Sequence, residues 1–399
     1  MAQIPGDLLI DDATKKYLKS LSLEKLAAMM MIFEQALAGQ VPATPAVITA
    51  QELFWSYRQS PSVYLTPLGK GLGDWSDAYK QALTLVSQMT IDEKISVTSG
   101  QTKTTNGCAG MIPGVPRLGF LGICVYNGPS GLHGTEAVNG YTSGITVGAA
   151  WNKELALARG HHMGLEAKRK GVDPYLCGVM GAQTILGIQE HVIATAKHFI
   201  VNEQETNRNL NMFGLGNASV SATLDDKTMH ELYLWPFQDA VKAGVGLTEL
   251  AFQGYVITDA GALHSGVASA NAGTDVTTPF NEMWGGNLSK AIANGTMYES
   301  RLDDMVTRIV ANWFKYAAFE PGTGLVVDVS KPHEVISSIS PESRDTRLQG
   351  AVEGIVLVKN YNNTLPLQKP KILSLFGYDA NVPLKNTPEG PYTKWDLGF

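Results

Sequence analysis

From Gln51 onward the chain alternates short apolar runs that end in a polar residue with long stretches of helical periodicity, and this alternation limits its fold more than any other feature. The apolar runs are residues 122–126, 192–200 and 255–259. The helical pattern is clearest from Arg301, where Leu302, Met305, Val306, Ile309, Val310, Trp313 and Phe314 recur at i, i+3, i+4, i+7, i+8, i+11 and i+12, so that this face must be buried. Three further helices are predicted. One covers 74–97. The second is capped by Asn152 and closes on Lys168, Arg169, Lys170 and Gly171, and the third is opened by Asp225 and Asp226 and interrupted at Pro236. Strands alternating with long helices predict an α/β fold with a parallel sheet and helices outside. The span from 51 to 320 has the size of one eight-stranded (β/α)8 barrel of about 250 residues. A doubly wound sheet competes, but no Gly-x-Gly-x-x-Gly follows a strand.

Composition removes several classes of function. With 31 Lys+Arg against 37 Asp+Glu spread along 399 residues, there is no basic stripe for a nucleic acid. No apolar run reaches the ~18 residues that span a bilayer, so no membrane partner is expected. No phosphate-cradling loop, nucleophile elbow or metal-spaced cluster is present, and neither a cofactor nor a metal is expected. His161 and His162 are adjacent on a predicted helix and diverge by about 100°, a poor metal pair. Cys108, Cys124 and Cys177 fit neither a zinc pattern nor a disulfide scaffold, and their pairing stays open. So does the oligomeric state.

The ends of the chain read differently from its middle. In residues 1–50 the apolar stretch 26–33 follows four lysines and loosely imitates a secretion signal, but it is short, starts late and closes at Glu34. An amphipathic helix in an N-terminal extension is the competing reading. After a Gly, Pro and Ser-rich linker at 321–353, residues 354–360 and 371–377 carry a new strand pattern, as at the start of a second α/β domain over 354–399. Four sequons, at Asn217, Asn287, Asn294 and Asn362, suit a secreted glycoprotein.

Functional groups of a parallel barrel stand at the C-terminal ends of its strands, where the loops share one mouth. Three strand ends therefore matter: Lys197-His198, Asp259 before Ala260 and Gly261, and the Asn127-Gly-Pro turn. In a regular pleat Lys197 and His198 would point to opposite faces.

At these same stretches the sequence resembles glycoside hydrolase family 3, in particular the secreted fungal β-glucosidases. The resemblance covers most of 51–380. It is carried by Asn127-Gly-Pro-Ser-Gly-Leu, Ser143-Gly-Ile-Thr-Val-Gly-Ala-Ala-Trp-Asn, Ile193-Ala-Thr-Ala-Lys-His-Phe-Ile-Val-Asn-Glu-Gln-Glu, Thr258-Asp-Ala-Gly-Ala-Leu-His-Ser-Gly and Val356-Leu-Val-Lys-Asn, with further segments at Glu52, Gly73, Met89 and Asp225. It implies a barrel followed by an α/β sandwich domain, a small β-glucoside such as cellobiose as substrate, a role in cellulose or glucan breakdown, and secretion. Retaining hydrolysis needs a carboxylate nucleophile and a second carboxyl about 5–5.5 Å away as acid/base. The resemblance places the nucleophile at Asp259 and sugar-hydroxyl ligands at Lys197, His198 and Asn127.

There are departures from the family pattern. Asn127 stands where the family usually has Asp, His133 where it has Arg, and Ala260 where it has Trp. Two family segments are missing, between Asp173 and Pro174 and between Gly246 and Leu247, so the barrel is expected to be incomplete. The family's acid/base comes from the second domain, past residue 399; Glu203 or Glu205 is the local candidate to replace it. The other reading is a catalytically impaired sugar-binding protein or an unstable remnant.

Overall fold

Two helices stand where the periodicity suggests one. In the computed structural model, α1 (Ser76–Val86) and α2 (Ile91–Thr98) are separated by a capping box: the Thr90 hydroxyl accepts from the Glu93 amide at 3.3 Å, and the Glu93 carboxylate accepts from the Thr90 amide at 2.8 Å. The polar side chains at this point satisfy free helix-end amides and restart the chain in a new direction. The structure describes residues 65–376 except 102–107, 109, 134, 173–174, 177–180, 203–207, 209–221, 223, 245–246, 249–250, 280–282, 317–331 and 333, all within one unit. The expectations for residues 1–50, Asn217, Glu203, Glu205 and Cys177 lie outside them.

β1 (Gly110–Ile112) pairs antiparallel with β2 (Ile123–Asn127), and a Cys108–Cys124 disulfide joins the start of one to the other. After α3 (Gly144–Ala149) comes α4 (Lys153–Arg169), whose first turn is capped by Asn152 Oδ1 accepting from the Leu155 amide at 3.0 Å. It ends, as predicted, on a basic turn before Gly171, whose φ of +71° is the left-handed conformation that favours glycine. β3 (Tyr175–Leu176), α5 (Ala182–Gln189) and β4 (Ala194–Thr195) complete a sheet of order β1-β2-β3-β4 in which the last two pairings are parallel.

Three bridges extend this order. Gln101 pairs with Met111, Ser99 with Thr277 in parallel, and Ile257 with Val276 in parallel. The neighbours thus run from β4 through β3, β2 and β1 to 99–101, 276–277 and 257, with helices packed against them. The order is mixed rather than wholly parallel as expected: β1 runs antiparallel to both β2 and Gln101, the other pairings are parallel, and the paired stretches are short. Of residues 192–200 only Ala194 and Thr195 pair as strand, and of 255–259 only Ile257 forms a bridge.

Asp225 caps a helical turn (Asp226–Thr228) that widens into a π-helical stretch (Met229–Leu234) before α6 (Trp235–Lys242). Pro236 has no amide to donate to a carbonyl one turn back, which explains an interruption at this place. β5 (Leu247–Thr248) and β6 (Ala251–Phe252) form an antiparallel pair, followed by α7 (Val267–Ala272), α8 (Gly286–Ala293) and α9 (Glu299–Tyr316).

α9 is the predicted amphipathic helix, and Leu302, Met305, Val306, Ile309 and Val310 are all fully buried. Its two arginines are buried as well. Arg301 meets Asp275 and Asp304, each at 2.7 Å, and Arg308 meets Asp304 at 2.9 Å. Arg308 also donates to the carbonyls of Pro67, Phe252 and Gly254, so it anchors the backbone that leads into 255–259. A second core cluster, with Tyr126, Met163, Ile185 and Ile188, lies under α4 and α5.

α10 (Ser343–Glu353) is followed by residues that form no strand among those described, contrary to the pattern at 354–360 and 371–376. Val358 is 90% exposed and Phe376 92%. A strand is held by the amides and carbonyls of its neighbour, and without a paired neighbour an apolar alternation does not form one. Among the described residues, no helix is long and apolar enough to cross a membrane.

Candidate functional site

A cavity of about 660 Å³ opens between the exit of β4 and residues 254–259. Asp259 stands on its wall, at the end of the anchored run. The amide of Thr258 donates to Val276 O at 3.1 Å, and the next turn is closed by the Ala262 amide donating to Asp259 O at 3.1 Å. Gly261, at φ +67°, supplies the left-handed position inside that turn.

Three basic side chains face the Asp259 carboxylate. Lys197 Nζ lies 3.4 Å from Oδ1, Arg208 Nη1 3.2 Å from Oδ2, and His198 Nε2 3.7 Å from Oδ2. The lysine and the arginine take one oxygen each, which fixes the carboxylate plane. Lys197 and His198 do not diverge as a pleat would require, because the paired strand ends at Thr195 and its alternation does not reach them.

Asn127 ends β2, two pairings away from β4, and its carbonyl accepts from the His133 amide at 3.1 Å. Neither residue is among the described residues lining the cavity. His133 is half-buried, and its Nε2 has no hydrogen-bond partner among the described residues. Burial, and then the positive charge of Lys197, holds its imidazole below the usual histidine range. Where the resemblance leads one to expect a permanent cation, this chain therefore favours a neutral ring.

Asp259 is the only carboxylate among the described cavity-lining residues. Ala260, where the resemblance implies a tryptophan, is exposed. Two side chains escaped the sequence reading. Arg208 stands three residues past the family-like segment 193–205, and a cation ten residues after His198 is a legible signal. Phe237, which packs edge-to-face on Phe199 at 5.0 Å, comes from α6, and no local pattern pointed to it. Of the sequons, Asn287, Asn294 and Asn362 are exposed, and Asn294 Oδ1 accepts from the Thr296 hydroxyl at 2.7 Å.

No protein-family model matches the sequence. "Probable beta-glucosidase M" of Aspergillus oryzae is 47% identical over 393 residues, covering 84% of this chain and 51% of that protein. The glycoside hydrolase family 3 β-glucosidase of Neurospora crassa superposes with a TM-score of 0.67 at 33% identity, over 78% of this chain and 47% of that one. The Chaetomium thermophilum β-glucosidase gives 0.65 at 35% identity, over 78% and 46%. This chain is a relative of the fungal family 3 β-glucosidases. It spans about half the length of the curated relatives it matches.

Proposed function

We propose that this chain carries the glucose-binding and nucleophile half of a retaining β-glucosidase, acting on terminal β-D-glucosyl residues of cellobiose and short cello-oligosaccharides. The observation that carries this reading is Asp259 on the cavity wall with Lys197, Arg208 and His198 around its carboxylate. Asp259 attacks the anomeric carbon as the bond to the aglycone oxygen breaks, that oxygen taking a proton from the acid/base expected from the rest of the family's site or from solvent. Water, giving its proton back to the same base, then displaces the enzyme carboxylate from the glucosyl ester. Lys197 and His198 hold sugar hydroxyls, and Asn127 is assigned to the same set through the family alone. Residues 51–320 are read as the barrel domain, with the two absent family segments leaving it incomplete, 321–353 as linker, and 354–399 as the start of the sandwich domain.

Hydrolysis of an aryl β-glucoside by the purified protein tests this. Asp259→Ala is expected to lower the rate by about 10³-fold or more, the scale on which loss of a nucleophile acts. Equal rates in the two proteins defeat the reading. A second reading, a sugar-binding protein with impaired turnover, is favoured by Asp259 being the single carboxylate among the described lining residues. General acid catalysis is worth about 10²–10⁴-fold. In its absence a dinitrophenyl glucoside, whose leaving group needs no proton, is cleaved while cellobiose is not. Cleavage of neither, with glucose still raising the melting temperature, supports the binding protein.

Secretion belongs to the proposal. The Cys108–Cys124 bond supports it, since disulfides persist in oxidising compartments, and so do three exposed sequon asparagines. A shift in mass after glycosidase treatment of protein from culture medium checks both points.

A further inference from the structure

α4 and α5 approach most closely where glycines let their backbones touch. A Cβ on Gly187 would stand 2.5 Å from the His161 backbone nitrogen, and one on Gly164 would meet Ile188 O at 2.8 Å. At the end of this seam His161 of α4 meets Glu190 and His191, the two residues just past α5. His161 Nδ1 is 2.5 Å from Glu190 Oε2 and 3.2 Å from His191 Nε2, and the three donor atoms all lie within 4.8 Å of one another.

Hydrogen bonding does not satisfy all three groups at once: the single Nδ1 of His161 faces both the Glu190 carboxylate and the His191 ring nitrogen, and one N–H cannot give each of them a full hydrogen bond. One cation accepts all three lone pairs. Zinc holds nitrogen and oxygen ligands at about 2.0–2.2 Å, so a tetrahedral site spaces its donors about 3.3 Å apart. The two histidine nitrogens already have that spacing. The Glu190 carboxylate must open by about 0.8 Å to reach it, and its side chain is 49% exposed and so free to move. His161, 38% exposed at its side chain, leaves the fourth position to water.

We propose that His161, Glu190 and His191 form a binding site for a divalent transition-metal ion of the zinc type, which clamps α4 to α5. Two histidines and a carboxylate are a ligand set that suits this ion. The clamp lies apart from the hydrolytic chemistry: His191 precedes β4 by three residues, whereas Lys197 follows it, and none of His161, Glu190 and His191 is among the described residues lining the cavity.

The test uses the full chain stripped with a chelator and titrated with Zn²⁺, and with Co²⁺ as a spectroscopic probe. Expected are saturable uptake of one equivalent, the visible absorption of four-coordinate Co²⁺, and a melting temperature raised by about 5 °C at saturating metal. Glu190→Gln and His191→Gln should each weaken the affinity by about tenfold or more, while His230→Gln, an exposed histidine on another helix, should leave it unchanged. Glu190→Gln is a half-exposed substitution that the fold tolerates, so the test stands even if His191→Gln is unstable. Absence of a saturable equivalent in the parent protein overturns the proposal. Uptake and stabilisation equal in the parent and Glu190→Gln overturn it as well.

Discussion

Arg208 Nη1 lies 3.2 Å from Asp259 Oδ2, across 51 residues of sequence, and shares that carboxylate with Lys197 on its other oxygen. Two cations, one on each side, hold the plane of the group that is proposed to attack the sugar. Arg208→Gln removes a charge-assisted bond worth about 1.5–3 kcal/mol, so kcat/KM for an aryl β-glucoside is expected to fall by about 10- to 100-fold. The same variant should melt within about 2 °C of the parent, because the side chain faces a cavity rather than a core. Unchanged kinetics would remove Arg208 from the site.

Glu166 is a buried carboxylate with four donors. It accepts from the Asn139 amide at 2.9 Å, the Asn139 side chain at 2.5 Å, the Tyr141 hydroxyl at 2.8 Å and the Ser340 amide at 3.1 Å. It thereby pins residues 338–343 to α4. Glu166→Gln presents an NH₂ to one of these donors and should cost about 2–4 kcal/mol, read as a lower denaturant midpoint with an unchanged slope. A midpoint equal to that of the parent would mean that the segment is held elsewhere.

The α1–α2 corner should be acid-sensitive. The Arg117 guanidinium, then the Thr90 amide, holds Glu93 down from 4.5 to about 2. A carboxylate depressed in the folded state binds fewer protons than in the unfolded chain, so its contribution is complete above pH 4.5 and is lost as the pH falls from 4.5 toward 2. In Arg117→Gln the Glu93 carboxyl, followed by NMR, should titrate closer to 4.5. An unmoved titration would assign the shift to the cap alone.

Gly187→Ala is expected to be disruptive despite the helical position. The new methyl would meet the backbone of α4 at His161, and backbone cannot yield as a side-chain tip does. A loss of about 1–3 kcal/mol in thermal or denaturant unfolding is expected, whereas Gly148→Ala, in α3 with open space around it, should be neutral or slightly stabilising.

What the sequence made legible follows from local physics. The α9 periodicity, the Asn152 cap, the Gly171 stop and the Asp259-Ala-Gly turn depend on side chains a few residues apart, and each stands in the structure as read. The single helix over 74–97 was misread at Thr90, because a capping box interrupts a helix without interrupting its apolar face. The strands at 354–360 and 371–376 were misread for a different reason: alternation describes what a strand could bury, and pairing needs a neighbour that the pattern does not name.

The sequence by itself determined the α/β class, the periodic helices and the family resemblance with its Lys197, His198 and Asp259, since these rest on order and spacing along the chain. Only the tertiary structure decided that Arg208 joins Asp259, that Arg301 and Arg308 are buried anchors rather than surface charges, and that His161 shares a cluster of possible ligand atoms with Glu190 and His191. The contacts of Arg208 with Asp259, Arg301 with Asp275, Arg308 with the Pro67 carbonyl and His161 with Glu190 join residues far apart in sequence, where energy depends on distance and burial in three dimensions, and neither quantity is written in the local pattern.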